Sequence, residues 1–218
     1  MEKIVIIGAG GFGREVKTVI DTINDKQPNE VYQFIGFFDD GFEKGKIING
    51  FPVLGGIEDL NNFSEPLHVV VAIGDPLVKR KIIKNIKNNS KLSYPNIIHP
   101  SVLISNDDVK IGMGNIICGG TIITCNIEIK DFVILNLMCT VGHDTKINSY
   151  SSFMPSVNIS GEVLIEEAVY VGTGTKIINQ LTIGQNTIVG AGAVVAKSLP
   201  ENCTAVGIPA KPIKFHND

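Results

Sequence analysis

The sequence reads as an α/β unit of Rossmann-like character followed by an all-β parallel β-helix. Three observations predict this. A short apolar strand, a glycine-rich turn and a helix-spaced segment open the chain. From Ile111 to Val195 an apolar residue stands at every sixth position without a break. The stretch that carries this period has almost no helical spacing.

The first element is the strand Lys3-Ile4-Val5-Ile6-Ile7. Gly8-Ala9-Gly10-Gly11-Phe12-Gly13 follows it, and Arg14 to Ile20 has helix spacing. Strand, glycine turn and helix in that order bring backbone amides and a helix N-terminus close to a phosphate. Gly8, Gly10 and Gly13 also fit the GxGxxG spacing. A second strand, Phe34 to Phe38, ends in Asp39-Asp40, and a third, Val69 to Ile73, ends in Gly74-Asp75. Lys79 to Asn88 reads as a basic helix. The polar endings all fall at strand C-termini, where open α/β sheets bind ligands. In a nucleotide-sugar reading, Gly10, Gly11 and Phe12 approach the sugar or phosphates. Asp39 and Asp40 approach the base or ribose, and Gly74 closes the edge. NAD binding uses the same glycine pattern, but the unit is short and brings no dehydrogenase partner. A third reading has the glycines making only a tight turn.

The period of six in the second half is neither helical nor a plain strand alternation. It is the hexapeptide repeat of a parallel β-helix. Three hexads close one triangular coil, so the unbroken series supplies five coils, stacked to about 24 Å at a strand spacing of roughly 4.8 Å. Four residues after each key apolar residue stands a second inward position. All but Asn115 there are small, β-branched or aliphatic. Glycine often follows the key residue directly, at Gly112, Gly142, Gly172, Gly184 and Gly190, which suggests tight turn conformations. Ile97 to Pro100 is expected to lead into the solenoid and Leu199-Pro200-Glu201 out of it. Ala205 to Lys211 is expected to fold back on the last coil, since the ends of a stack need caps.

The 218 residues suit two modest domains, expected at 1–95 and 96–218. A hydrophobic content of 44% is enough for a sizeable core, and a net charge of -3 argues against a nucleic-acid or anionic-membrane partner. No apolar run approaches the eighteen or so residues of a membrane span, and nothing resembles a signal peptide. Cys118, Cys125, Cys139 and Cys203 form no CxxC pair and read as reduced, buried thiols of a cytoplasmic protein. No spacing suggests a metal site. His68, His99 and His216 read as structural or tail residues, and Glu166-Glu167 as solvated.

Several segments together carry a family resemblance. They are Gly8 to Gly13, Phe38-Asp39-Asp40, Ala72-Ile73-Gly74, Ile98-His99-Pro100-Ser101, Gly142-His143-Asp144 and Val206 to Lys211. In this order the two halves resemble the NeuD/PglD-like sugar acyltransferases, which include sialic acid O-acetyltransferases and the bacillosamine-pathway acetyltransferase. The resemblance implies a left-handed β-helix and a homotrimer. It also implies acetyl-CoA as co-substrate, no metal, and a nucleotide-linked aminosugar as acceptor. The expected reaction acetylates the 4-amino group of a 4-amino-4,6-dideoxyhexose on dTDP or UDP, for surface-glycan synthesis. Family members that use UDP, dTDP or GDP sugars look alike at this level.

Acetyl transfer to an amine needs a base, because the nitrogen must lose a proton as it adds to the thioester. The resemblance gives that role to His143 and the orienting role to Asp144. Adjacent residues on an ideal strand face opposite ways, so the pair requires a bend. Ser152 stands where close relatives of the bacillosamine enzyme carry a second histidine that contacts acetyl-CoA. Thr173 and Ala191 match positions that contact pantetheine. An O-acetyltransferase of the sialic acid type and a non-catalytic trimeric scaffold are the rival readings.

Overall fold

The computed structural model describes residues 1–216; positions 217–218 of the second expected domain lie outside the described residues. The N-terminal part runs β1 (Glu2–Ile7), α1 (Gly11–Lys26), β2 (Tyr32–Phe38), β3 (Ile47–Ile48), β4 (Phe51–Gly55), α2 (Ile57–Asn61), β5 (Leu67–Val71), α3 (Pro76–Ile86) and β6 (Leu92–Ser93). Its strands lie in the order β3-β4-β2-β1-β5-β6. All neighbours are parallel except the β3–β4 hairpin. Ile4 to Ile7 of β1 are buried on both faces, as a central parallel strand must be when helices cover it. The strand order reverses between β1 and β5, so the ligand crevice of such a sheet opens beside Gly8 and Ala72.

Helix α3 begins three residues before the expected Lys79. Asp75 caps it, its carboxylate accepting from the Leu77 and Val78 amides at 2.8 and 3.0 Å, and Pro76 fills the first turn. The β3–β4 hairpin and α2 complete the stretch after Asp40. Asn49 and Gly50 both have left-handed φ, 48° and 86°, the signature of a two-residue hairpin turn.

The second half winds into a triangular solenoid with three parallel sheets as its faces. Face one stacks Ile97–Ile98, Ile116–Ile117, Ile134–Leu135, Ser152–Phe153, Tyr170–Val171, Ile188–Val189 and Cys203–Gly207. Face two runs from Leu103–Ile104 to Val194–Val195, and face three from Val109–Ile111 to Thr182–Ile183. The stack is one coil longer than the unbroken period. Ile97–Ile98 forms the first strand itself rather than a lead-in. That coil pairs with the next at an offset of nineteen residues rather than eighteen, because seven residues separate Ile104 from Ile111. The extra residue ends the strict count at Ile111 without ending the fold. At the far end Cys203–Gly207 pairs with Ile188–Val189, and the antiparallel strand Ala210–Phe215 folds back on it as the expected cap.

The key apolar residues from Ile117 to Val195 fill the lumen, and so do most residues four places on. Asn115, the polar exception, is fully buried. Its side-chain oxygen accepts from the Val133 amide at 2.7 Å, and its amide group donates to Asn96. The lumen hydroxyls of Thr121, Thr145, Ser151, Thr175 and Thr187 each donate to a carbonyl of the following coil, so burial leaves none unpaired. Leu181 is only half-buried. The thiols of Cys118, Cys139 and Cys203 are buried, and burial pushes the first two up to about 12 and about 11; Cys125, against expectation, is half-exposed.

The glycines that follow the key residues have a different purpose from the one expected. None of Gly112, Gly142, Gly172, Gly184 and Gly190 has a left-handed φ. A Cβ there would instead lie 2.2–2.7 Å from atoms of the next coil, mostly its backbone. The left-handed residue falls two places later. Every sixth residue from Gly114 to Gly192 has positive φ, whatever its side chain. Coil-to-coil contact therefore selects these glycines, and the corner turn accepts Phe132, Met138, Asp144 or Glu162 equally.

Candidate active site

Face one is where the two halves meet. Its outward residues Ile97, Ile116 and Ile134 are buried against Val16, Val19 and Ile20 of α1. Further along, α3 crosses it. Lys79 is fully buried, and its Nζ donates to Ser152 Oγ at 2.8 Å and to the Ser151 carbonyl at 3.4 Å. Burial holds its amine well below the ordinary lysine range, opposed only in part by the nearby Asp75. Arg80 pairs with Glu167 at 2.9 Å. Glu166 accepts from the Gln185 amide, so neither acid of that pair is merely solvated.

Beyond α3 the two halves part around a cavity of about 800 Å³. Gly74, Asp75, Leu77 and Arg80 form one wall, and Met154, Tyr170, Ile188 and His216 much of the other. Its volume is of the size that takes a small-molecule ligand. Gly74 therefore lies at a cavity, as its position at a strand end suggested.

Of the three helix N-termini at this sheet edge, only that of α1 is open. Gly10 at its cap offers no side chain, and Gly10 and Gly11 are exposed, with Phe12 half-buried. The first-turn amides of a helix have no internal partner and attract an anion. The N-terminus of α3 is already occupied by the Asp75 carboxylate. Asp39 sits at the glycine turn. One oxygen accepts from the Ala9 amide and the other from the Gly41 amide, both at 2.8 Å. Asp40 caps α2 through Oδ1, which accepts from the Ile57 amide at 2.8 Å. A carboxylate has about four acceptor sites, so both acids keep capacity for N–H or hydroxyl donors. Gly13 is needed for packing, since a Cβ there would fall 1.8 Å from the Gly8 carbonyl oxygen.

His143 lies elsewhere. It stands on the corner between faces two and three, the edge of the prism opposite face one. Asp144 takes the left-handed corner conformation, φ 57°, which supplies the bend that the pair needs. His143 Nδ1 and Asp144 Oδ2 are 2.8 Å apart, and the side chain of the histidine is 56% exposed. Asn126 also donates to Asp144, and these two bonds hold the Asp144 carboxyl below its ordinary range. The bond to Nδ1 leaves Nε2 free to take a proton.

The residues expected at acetyl-CoA divide in two. Thr173 and Ala191 are exposed on the corner between faces one and two, stacked in successive coils. Ser152 is placed differently. It is fully buried under α3 with its hydroxyl engaged by Lys79, because the N-terminal part covers this stretch of face one. As arranged, it presents no hydroxyl to a ligand. One chain thus brings Gly10, Gly11, Phe12, Asp39, Asp40 and Gly74 to one side of the prism and leaves His143 and Asp144 on the other. The sequence reading missed Lys79 and Met154. The first is one lysine in a basic helix, and the second carries no motif. Among the described residues, no group of three or more His, Cys, Asp or Glu is arranged to hold a metal ion, and no helix is long and apolar enough to cross a membrane.

Residues 3–86 match the PglD N-terminal domain family. The GDP-perosamine N-acetyltransferase of Escherichia coli O157:H7 is 32% identical over 215 residues, covering 96% of this chain and 95% of the relative. The acetyltransferase domain of PglB from Neisseria gonorrhoeae FA1090, solved with acetyl coenzyme A, superimposes with a TM-score of 0.87 at 33% identity over 97% of this chain and 99% of that one. PerB from Caulobacter crescentus, solved with CoA and GDP-perosamine, gives 0.86 at 30% identity over 98% of both chains. These likenesses span both halves, and the solenoid is of the left-handed kind.

Proposed function

Because the chain belongs to the NeuD/PglD-like family of acetyl-CoA-dependent sugar acetyltransferases, we propose that it acetylates the 4-amino group of a nucleotide-linked 4-amino-4,6-dideoxyhexose. The observation that carries the reading is the His143–Asp144 pair, held on an exposed corner with Nε2 free. The sugar amine adds to the thioester carbonyl, His143 Nε2 takes the proton that the nitrogen sheds, and the tetrahedral adduct expels CoA as thiolate. The proton on His143 then returns to the thiolate sulfur, giving amide and free thiol. Asp144 holds Nδ1 protonated and the ring oriented.

The diphosphate is read by the open N-terminus of α1 at Gly10, Gly11 and Phe12, and the nucleoside by Asp39 and Asp40. Gly74 and the junction cavity receive the sugar. One similar protein is named for GDP-perosamine and another was solved with it, so a GDP-linked aminosugar heads the candidates ahead of the dTDP and UDP sugars. Thr173 and Ala191 line the path of pantetheine.

The split geometry supports a homotrimer. His143 is on the edge opposite the junction cavity, so the base must come from a neighbouring copy, and cyclic symmetry supplies one per site. The test is incubation with acetyl-CoA and a panel of GDP-, UDP- and dTDP-linked 4-amino sugars, with free sialic acid as control. N-acetylation of at least one nucleotide sugar is expected. Turnover with free sialic acid alone would overturn the reading.

A further inference from the structure

We propose that Gly161 is a positioning residue, a slot in the next coil against which the imidazole of His143 lies. This rests on the reading of His143 as the base.

The residues two places beyond the paired Ile123, Val141, Ile159 and Ile177 form one column along the corner: Cys125, His143, Gly161 and Asn179. Gly161 is therefore directly one coil on from His143. It is a corner glycine, yet it is buried. Its φ lies outside the left-handed region, so the backbone does not demand glycine. What a side chain would meet is the histidine. A Cβ on Gly161 would fall 2.4 Å from His143 Nε2, 2.5 Å from Cε1 and 2.9 Å from Cδ2.

The pattern of these distances locates the contact. An approach in the ring plane along the Nε2 lone pair would leave Cε1 and Cδ2 clearly farther away than Nε2. The near-equal values place the Cβ over the face of the ring. Gly161 thus supports the imidazole from below and leaves the Nε2 lone pair open, while Asp144 fixes Nδ1 from the side. Two contacts in different directions define where the base points. Even small misplacement of a reacting group is costly in rate.

Gly142, Gly172 and Gly184 provide the contrast. A Cβ on any of them meets backbone at 2.4–2.6 Å, which cannot move without opening the coil. At Gly161 the obstacle is the end of a side chain, which can rotate away. Gly161→Ala is therefore expected to fold and to displace the base.

The experiment compares wild type, Gly161→Ala, His143→Ala and the double variant. Gly161→Ala should lower kcat about tenfold or more while both KM values stay within about twofold. The ring ¹⁵N resonances of His143 should shift as the Nδ1 bond to Asp144 is disturbed. Any loss of Tm caused by the new methyl group should vanish in the His143→Ala background, where the ring is gone. Wild-type kcat and unchanged ring resonances in Gly161→Ala would overturn the proposal. So would an equal loss of Tm in both backgrounds, which would make the glycine a backbone requirement. Near-normal turnover by His143→Ala would instead remove the reading of His143 as the base, so the two failures are distinguishable.

Discussion

Face one and the corner opposite it are built from the same hexads and have opposite characters. Face one is covered over much of its length by α1 and α3, carries buried Ile97, Ile116 and Ile134, and borders the junction cavity. The opposite corner is uncovered and polar, with His143, Asp144 and Asn126 at its surface. Under the proposed function, this difference puts nucleotide recognition and proton removal on separate sides of the prism. A single copy holds both sets of residues but cannot bring them together.

Disabling the corner should have the largest effect. His143→Ala is expected to lower kcat by about 10²-fold or more and to leave the KM for acetyl-CoA largely unchanged. Steady-state kinetics with the preferred sugar would check this. A fall in kcat/KM caused by KM alone would instead place His143 in binding.

Disabling face one should give the complementary pattern. Asp39→Ala removes the acceptor that holds the Ala9 and Gly41 amides. The sugar-nucleotide KM should rise about tenfold, equivalent to about 1.4 kcal/mol, with little change for acetyl-CoA. Equal effects on both substrates would make Asp39 purely structural and weaken the division between the two regions.

The smallest effect is expected at the junction itself. Lys79 is buried with two neutral oxygens as its hydrogen-bond partners, so taking its charge out of water is poorly compensated. Lys79→Met should be as stable as wild type or more stable by about 1 kcal/mol. The pH dependence follows from its lowered amine. The unfolded chain binds the proton in the ordinary lysine range and the folded chain only at lower pH. Stability from the neutral amine is thus fully present above the ordinary lysine range and is lost as pH falls toward the folded value. The advantage of the Met variant should grow over that window in denaturant titrations. A large loss of stability would show that the amine is a needed clamp.

The fold was legible because six is a period that only a narrow set of architectures repeats. The inward places at Ile117, Phe153 and Val189 followed from that period alone. The Asn49-Gly50 hairpin turn, by contrast, was not read from the sequence, although Asn-Gly is a hairpin signal. Other features depend on what covers a residue, which no spacing encodes. Ser152 has the sequence context of an outward solenoid residue, but α3 lies on it. Lys79 looks like its neighbours Lys81 and Lys84 until its burial is known. Gly142 and Gly161 are both corner glycines in sequence, yet one faces backbone in the next coil and the other an imidazole. The His143–Asp144 bend was demanded by the motif, and the left-handed φ of Asp144 provides it.

Subunit complementation tests the central claim most directly. His143→Ala and Asp39→Ala copies are mixed under conditions that exchange subunits and assayed at sugar-nucleotide well below the KM of the Asp39 variant. If each site joins the nucleotide unit of one copy to His143 of the next, about a quarter of the sites in an equal mixture are intact. Activity should then rise well above that of either parent. Mixed oligomers that show only the average of the two parents would contradict the account and place base and sugar within one chain.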